Sequence, residues 1–437
     1  MLHVQDHVAE PDAPTRRRQL STLMTHLKYY LGLILLLVVG AFTSPHASDG
    51  SNIFLSSANI SDVFRQVANV GVMSIGMTLV IITAGIDLSV GAIMGLGSVL
   101  TAMLLTTDGW SRATYASLVL NALAVFSIVF IVLGAWRKAS RARGAHSGAH
   151  SGAALPVLGV IALLCAALAC LYIVQHAAHR MPLVGVLWIV PLAGFTVGSI
   201  NGWIITRGRM QPFIVTLAAM VGVLGAARLI AGQDTAVYSI YSGTNATAEI
   251  ENLRALLFNL IPVPALCFLV IASIFSFVMN RTVFGKYLYA IGGNEKCAVV
   301  SGLNVNRYKM MAYAISGLLS ALVGVLYAAQ YRQGKADAGI GWELDAIAAV
   351  VIGGTSLMGG VGRISGTVVG VLIFGFLGNI LLLNDIDSNT QLVLKGLIIV
   401  IAVFLQQTEF GRGGWLKKIR RLEWIEWIER IKRKRSE

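Results

Sequence analysis

Stretches of about 20 apolar residues recur along the whole chain, and that recurrence limits what it can fold into. They lie near 27–42, 113–133, 155–174, 183–205, 212–231, 256–278, 310–329 and 390–405, with two shorter segments each in 62–105 and 343–383. A segment of that length crosses a bilayer as a helix, because lipid offers no partner for an unpaired backbone amide. Charged residues make up 13% of the chain, against roughly 25% in soluble domains. The 46 glycines suit helices that pack closely or break. The expected fold is an all-α, polytopic membrane protein with about twelve spans and both termini cytoplasmic.

Charge sets the orientation. Arg16, Arg17 and Arg18, the basic run from Arg137 to Arg143, Arg207 with Arg209, and Arg281, Lys286, Lys296, Arg307 and Lys309 all fall on one side of that count. That side is cytoplasmic by the positive-inside rule. Arg65, Arg112, Arg180, Arg254, Arg332 and Lys335 are isolated exceptions outside. The net charge of +13 lies in loops and tails, which argues for membrane orientation and against a nucleic-acid partner. Residues 1–26 form a cytoplasmic tail and 27–407 the transmembrane domain. A basic segment, an apolar core and small residues near Ala47 also fit a signal peptide; an uncleaved first helix agrees better with the spans that follow. Residues 408–437 read as a basic amphipathic helix on the inner membrane face, with Trp415, Trp424 and Trp427 at headgroup depth. An oligomerising helix is the alternative. The Gly/Ser/His tract 144–152 reads as flexible low complexity.

Bond-making chemistry finds little support. Gly285-Lys286 is followed by Tyr287, so no phosphate-binding loop is formed, and the glycines of 353–366 fit no dinucleotide fingerprint. There is no H-E-x-x-H and no convincing nucleophile–base set. Cys165, Cys170 and Cys267 lie in apolar runs and Cys297 in a basic loop, so neither a disulfide nor a metal site is expected. No cofactor is expected.

Two polar interruptions stand out instead. Thr83-Ala84-Gly85-Ile86-Asp87-Leu88-Ser89-Val90-Gly91 divides one apolar region, and Gly353-Gly354-Thr355-Ser356-Leu357-Met358-Gly359-Gly360-Val361-Gly362-Arg363-Ile364-Ser365-Gly366 divides another. Irregular polar backbone at membrane depth survives where it is buried in protein or lines a wet cavity. Corresponding breaks in two halves point to a transport pathway. The candidate lining residues are Thr83, Gly85, Asp87, Ser89, Gly91, Gly353, Gly354, Thr355, Ser356, Gly359 and Gly360. The competing reading is that the glycines only let helices pack tightly. For Asp87, shaping the broken helix is favoured over touching solute.

The inner loop contains Gly292-Gly293-Asn294-Glu295-Lys296-Cys297-Ala298-Val299-Val300-Ser301-Gly302. Gly-Gly ends the preceding segment, Asn294 suits an N-cap, Glu295 suits the first turn and Gly302 suits the C′ position. A short helix of about seven residues is expected, too short to be stable without a partner surface.

These segments together resemble ABC importer permeases for ribose, galactose, xylose and related monosaccharides. The similarity rests on 83–91, on Asn201-Gly202 with Pro212-Phe213-Ile214-Val215-Thr216-Leu217, on Glu343-Leu344-Asp345-Ala346-Ile347-Ala348-Ala349-Val350-Val351-Ile352-Gly353-Gly354, and on Gly359-Gly360-Val361-Gly362. It covers most of 60–105 and 185–407. The resemblance implies a multi-pass subunit of the bacterial cytoplasmic membrane, paired with a second permease chain as a homodimer. It implies a separate ABC ATPase subunit inside and an external sugar-binding protein that delivers solute. The inner helix would be the coupling segment, with Gly293, Asn294, Glu295, Ala298, Ser301 and Gly302 at the ATPase. The family is built on ten spans with a short link between its third and fourth helices. Here two further apolar segments intervene, so 110–180 reads as an inserted helix pair. Two alternatives stay open: an ion-coupled secondary transporter using Asp87, Glu343 or Asp345, and an ABC permease for another small polar solute such as branched-chain amino acids.

Overall fold

A computed structural model describes residues 30–142, 154–176, 179–232 and 237–407, with side chains omitted at 130–142, 154–159, 402 and 405–407. The expectations for 1–26, for the 408–437 tail and for the histidine tract lie outside the described residues. Within them the regular structure is helical apart from four strands of two or three residues.

In chain order the helices are α1 (Tyr30–Thr43), α2 (Ser57–Ile82), α3 (Val90–Thr106), α4 (Arg112–Ala142), α5 (Ala154–His176), α6 (Leu183–Gly208) and α7 (Pro212–Ala231). There follow α8 (Val263–Arg281), α9 (Val283–Gly293), α10 (Glu295–Val300), α11 (Val305–Tyr331), α12 (Trp342–Ile352), α13 (Ile364–Leu383) and α14 (Ser388–Gln407). The strands are β1 (Val237–Ser239), β2 (Leu256–Leu257), β3 (Ile261–Pro262) and β4 (Gln333–Lys335), with β1 antiparallel to β4 and β2 to β3. Among the described residues, seven helices are long and apolar enough to cross a membrane, and four shorter apolar ones accompany them.

The centre of the molecule is α2, wrapped by α8, α11, α12 and α13, with α3 and α6 packed on α11. Its second half, from Val67 onward, is buried almost without interruption. A helix apolar all round is stable only inside such a shell. Close backbone approach builds the shell: α11 lies against α6, where Gly194 and Gly198 face Gly317 and Tyr313. Thr78 of α2 and Thr367 of α13 share a buried hydroxyl–hydroxyl hydrogen bond of 2.7 Å. α5 packs on α4, and α4 on α6.

Three segments differ from the sequence reading. The basic residues Arg137, Lys138 and Arg141 belong to the last turns of α4 and not to a loop; nothing in that stretch breaks a helix before the glycines that begin at Gly144. The inner loop contains a helix, α9, whose Leu288 and Ile291 are buried; its amphipathic pattern is only 11 residues long. The third correction concerns 331–342, whose Arg332 and Lys335 the sequence reading places among the exceptions outside. It runs inward along α3 instead: Gly334 packs on Ser98, Gly339 on Gly91, and Ser98 Oγ donates to the Lys335 carbonyl (2.8 Å). α12 then continues inward with 11 residues, about 16 Å of helix at the usual rise. That covers about half of the 30 Å hydrocarbon core, so the crossing is part extended and part helical. Outside the spans, Asp387 accepts from the Thr390 hydroxyl and from the backbone N–H groups of Thr390 and Asn389, which holds its carboxyl below the usual range.

A junction of two helix breaks with the inner helices

Residues 83–89 join α2 to α3. Thr83, Asp87 and Ser89 are buried there. Thr83 Oγ1 donates to the Val80 carbonyl (2.8 Å) and closes the end of α2. Asp87 is 0% exposed. Its Oδ1 accepts from the Ser89 N–H (3.1 Å) and hydroxyl (2.6 Å), and its Oδ2 from the Ser316 hydroxyl of α11 (2.9 Å). Asn201 Nδ2 of α6 in turn donates to Ser89 Oγ (2.9 Å). One carboxyl group therefore ties the break to two further helices. Gly85 lies under the Tyr313 hydroxyl, which leaves no room for a side chain. Gly91 lies against Gly339 and the Glu343 carboxyl.

Residues 353–363 join α12 to α13 by different means. Ser356 N–H donates to the Val361 carbonyl (2.9 Å) and Gly359 N–H to the Ser356 carbonyl (3.0 Å). Gly354, Gly359 and Gly360 take positive φ of 85°, 83° and 72°. Gly353 and Thr355 are buried, whereas Met358 is 80% exposed.

The two breaks touch. Gly360 N–H donates to the carbonyl of Ile82, the last residue of α2 (2.9 Å), and Gly359 lies against Ala84. The end of α9 completes the junction. A Cβ on Gly292 would overlap the Ile82 carbonyl, and one on Gly360 would lie 2.8 Å from Gly293 Cα. Tyr289 of α9 donates its hydroxyl to the Gly362 carbonyl (2.9 Å). All three segments singled out in the sequence thus meet at one point.

α10 leaves directly from that point. Asn294 Oδ1 accepts from the Cys297 N–H (3.0 Å) as the N-cap. Glu295 pairs with Lys309 (2.6 Å). Ala298 is buried with Ile291 and Val305. Ser301 follows the helix, with its hydroxyl donating to the Cys297 carbonyl (2.9 Å), and Gly302 follows at φ 80°. Val299 and Val300 stand 56% and 89% exposed.

Sequence reasoning named Asn201 without giving it a task, gave Gly292 only the task of ending a segment, and missed Ser316 and Tyr289. A serine on a helix carries no local signal that its partner lies 229 residues away. Glu343 is buried and its Oε1 accepts from the Gly341 N–H (3.1 Å). Asp345 is paired with Lys395 of α14 (3.0 Å).

The family described as "Branched-chain amino acid transport system / permease component" matches residues 59–145 and 151–403. The chain belongs to this permease family. Among curated relatives, the ribose import permease protein of Bacillus subtilis is 36% identical over 90% of this chain and 96% of its own length. The ribose import permease protein of Haemophilus influenzae is 31% identical over 89% of this chain and 95% of its own. The xylose transport system permease protein of the same organism is 32% identical over 87% and 96%. No solved structure matches the chain significantly. With its apolar spans and bacterial permease relatives, the chain is a multi-pass transport protein of the bacterial inner membrane.

Proposed function

We propose that this chain is the membrane-spanning subunit of an ATP-driven importer and that its solute is a monosaccharide. The relatives named for ribose and xylose import support the sugar. The observation that carries the mechanism is the junction of Ile82, Gly292 and Gly360, where the inner helices touch both breaks at once.

ATP hydrolysis takes place on a separate ABC ATPase, which docks on α10 through Val299 and Val300, with Gly293, Asn294, Glu295, Ala298, Ser301 and Gly302 holding the helix in place. ATP binding there biases two states of the permease. α10 cannot move without α9, and α9 cannot move without the end of α2 and the break that precedes α13. An external sugar-binding protein delivers solute and a second copy of the chain completes the pathway, in the lipid bilayer. The breaks line or gate that pathway: Thr83, Gly85, Asp87, Ser89 and Gly91 from one, Gly353, Gly354, Thr355, Ser356, Gly359 and Gly360 from the other. Asp87, closed off by its hydroxyl partners, acts as a positioning residue. The α4–α5 pair, residues 110–180, sits at the edge of the core as an added unit.

The test is uptake of radiolabelled monosaccharides by proteoliposomes that hold this chain, the ATPase and the binding protein. Import that requires ATP and all three components is expected. Uptake by the chain alone, following an ion gradient, would replace this reading with a secondary transporter using Asp87, Glu343 or Asp345.

A further inference from the structure

The outer ends of α2, α8 and α11 and the short 3₁₀ turn Ala248–Arg254 enclose a cavity of about 320 Å³. That volume falls at the small end of ligand pockets. Six of its lining residues are Asp62, Arg65, Gln66, Arg254, Gln330 and Tyr331.

Its charges are already matched. Arg65 pairs with Asp62 (2.9 Å), and Arg254 with Glu251 (3.0 Å), which also pairs with Arg332 (2.8 Å). Each guanidinium in the lining already has a carboxylate within 3.0 Å, which weakens its pull on an anionic ligand. Beside these ion pairs the cavity offers neutral hydrogen-bonding groups. The Gln66 side chain is exposed. Below it, Asn69 is 0% exposed and its Nδ2 donates to Gln330 Oε1 (2.9 Å), which fixes the Gln330 amide and leaves its N–H₂ group as a donor. Asn69 Oδ1 has no partner among the described residues, an unspent acceptor beside the cavity floor.

One wall is aromatic. Tyr331 is 45% exposed and its ring lies 4.5 Å from that of Tyr327, which in turn meets Trp342 at 6.0 Å, edge on. Trp342 begins α12. The aromatic faces therefore lead from the outer cavity toward the second break. Amide groups and paired charges beside an exposed aromatic ring suit a neutral polyhydroxy ring, with its hydroxyls on the amides and its C–H face on Tyr331.

We propose that this cavity is a weak receiving site for the free monosaccharide at the outer mouth, occupied after the binding protein releases it. The proposal rests on the import reading above and adds a site to it.

Saturation-transfer NMR on the full-length chain in lipid nanodiscs tests it, with D-ribose and D-xylose as probes. Transfer to the sugar ring protons is expected. Tyr331→Ala and Gln330→Ala should each reduce it about three- to tenfold, the loss for one stacked or hydrogen-bonded partner. Gln66→Ala, at an exposed position that cannot disturb folding, should reduce it in the same direction. No transfer above empty nanodiscs, or transfer untouched by all three variants, overturns the site. So does a result in which the variants leave the sugar signal alone and instead weaken capture of the sugar-binding protein. A complex that imports a monosaccharide without showing transfer overturns the receiving site alone; one that imports none overturns the reading beneath it.

Discussion

The break after α2 and the break after α12 meet at one hydrogen bond but are built from different materials. The first is closed by side chains: the Asp87 carboxyl takes three hydrogen bonds, from Ser89 twice and from Ser316 on α11, and Asn201 adds a fourth link through Ser89. The second is closed by its own backbone and by residues at positive φ, and exposes Met358 and Val361 on its surface. A buried polar network that is fully satisfied fixes one geometry, because any other leaves a polar group unpaired. The second break relies mainly on backbone bonds, with single side-chain contacts in which the Met358 N–H donates to Ser356 Oγ (3.2 Å) and the Tyr289 hydroxyl to the Gly362 carbonyl (2.9 Å). The first break is thus the rigid side of the junction and the second the adaptable side, and α9 presses on both through Gly292 and Gly293.

Substitutions can break that contrast, and their expected effects fall in order. Gly292→Val has the largest effect. Its side chain cannot fit against the Ile82 carbonyl, so α9 must move away, at a cost of about 2 kcal/mol or more; ATP-driven uptake should fall at least about tenfold while the ATPase still co-purifies. Asp87→Ala comes next. It strands Ser316 and Ser89 in a buried site, and thermal unfolding in nanodiscs should show a loss of about 2–4 kcal/mol. Asp87→Asn keeps an acceptor for Ser89 and should cost about half as much. If both variants unfold like the parent, the first break is not locked by its carboxyl group.

Gly360→Ala touches the adaptable side. A methyl group at φ 72°, 2.8 Å from Gly293 Cα, should cost about 1–2 kcal/mol and slow uptake more than it lowers stability. Val300→Ser is the smallest in stability, under about 0.5 kcal/mol for an exposed site, yet it should weaken ATPase capture in a pull-down. Equal capture would remove α10 as the docking handle.

Much of this was legible in the chain. Apolar runs near 20 residues with basic flanks gave the helical membrane class, because lipid leaves the backbone few options. Asn294 and Gly302 gave the limits of α10, since caps are local chemistry. The inward course of 331–342 was not legible. Gln333, Lys335 and Asp337 make it look solvated, and its burial depends on small residues of α3 that a one-dimensional reading cannot bring alongside. The meeting of the two breaks was equally hidden. The sequence paired them by likeness, but the bond from Gly360 to Ile82 joins backbone atoms 278 residues apart and uses no side chain that could announce it.

The measurement that bears most directly on the junction compares the parent and Gly292→Val in proteoliposomes with the ATPase and binding protein, recording sugar uptake and ATP hydrolysis together. Loss of uptake with the ATPase still bound and still hydrolysing ATP is the predicted result, because the inner helices would then move without the breaks. Uptake at the parental rate would show that the Ile82–Gly292–Gly360 contact transmits nothing.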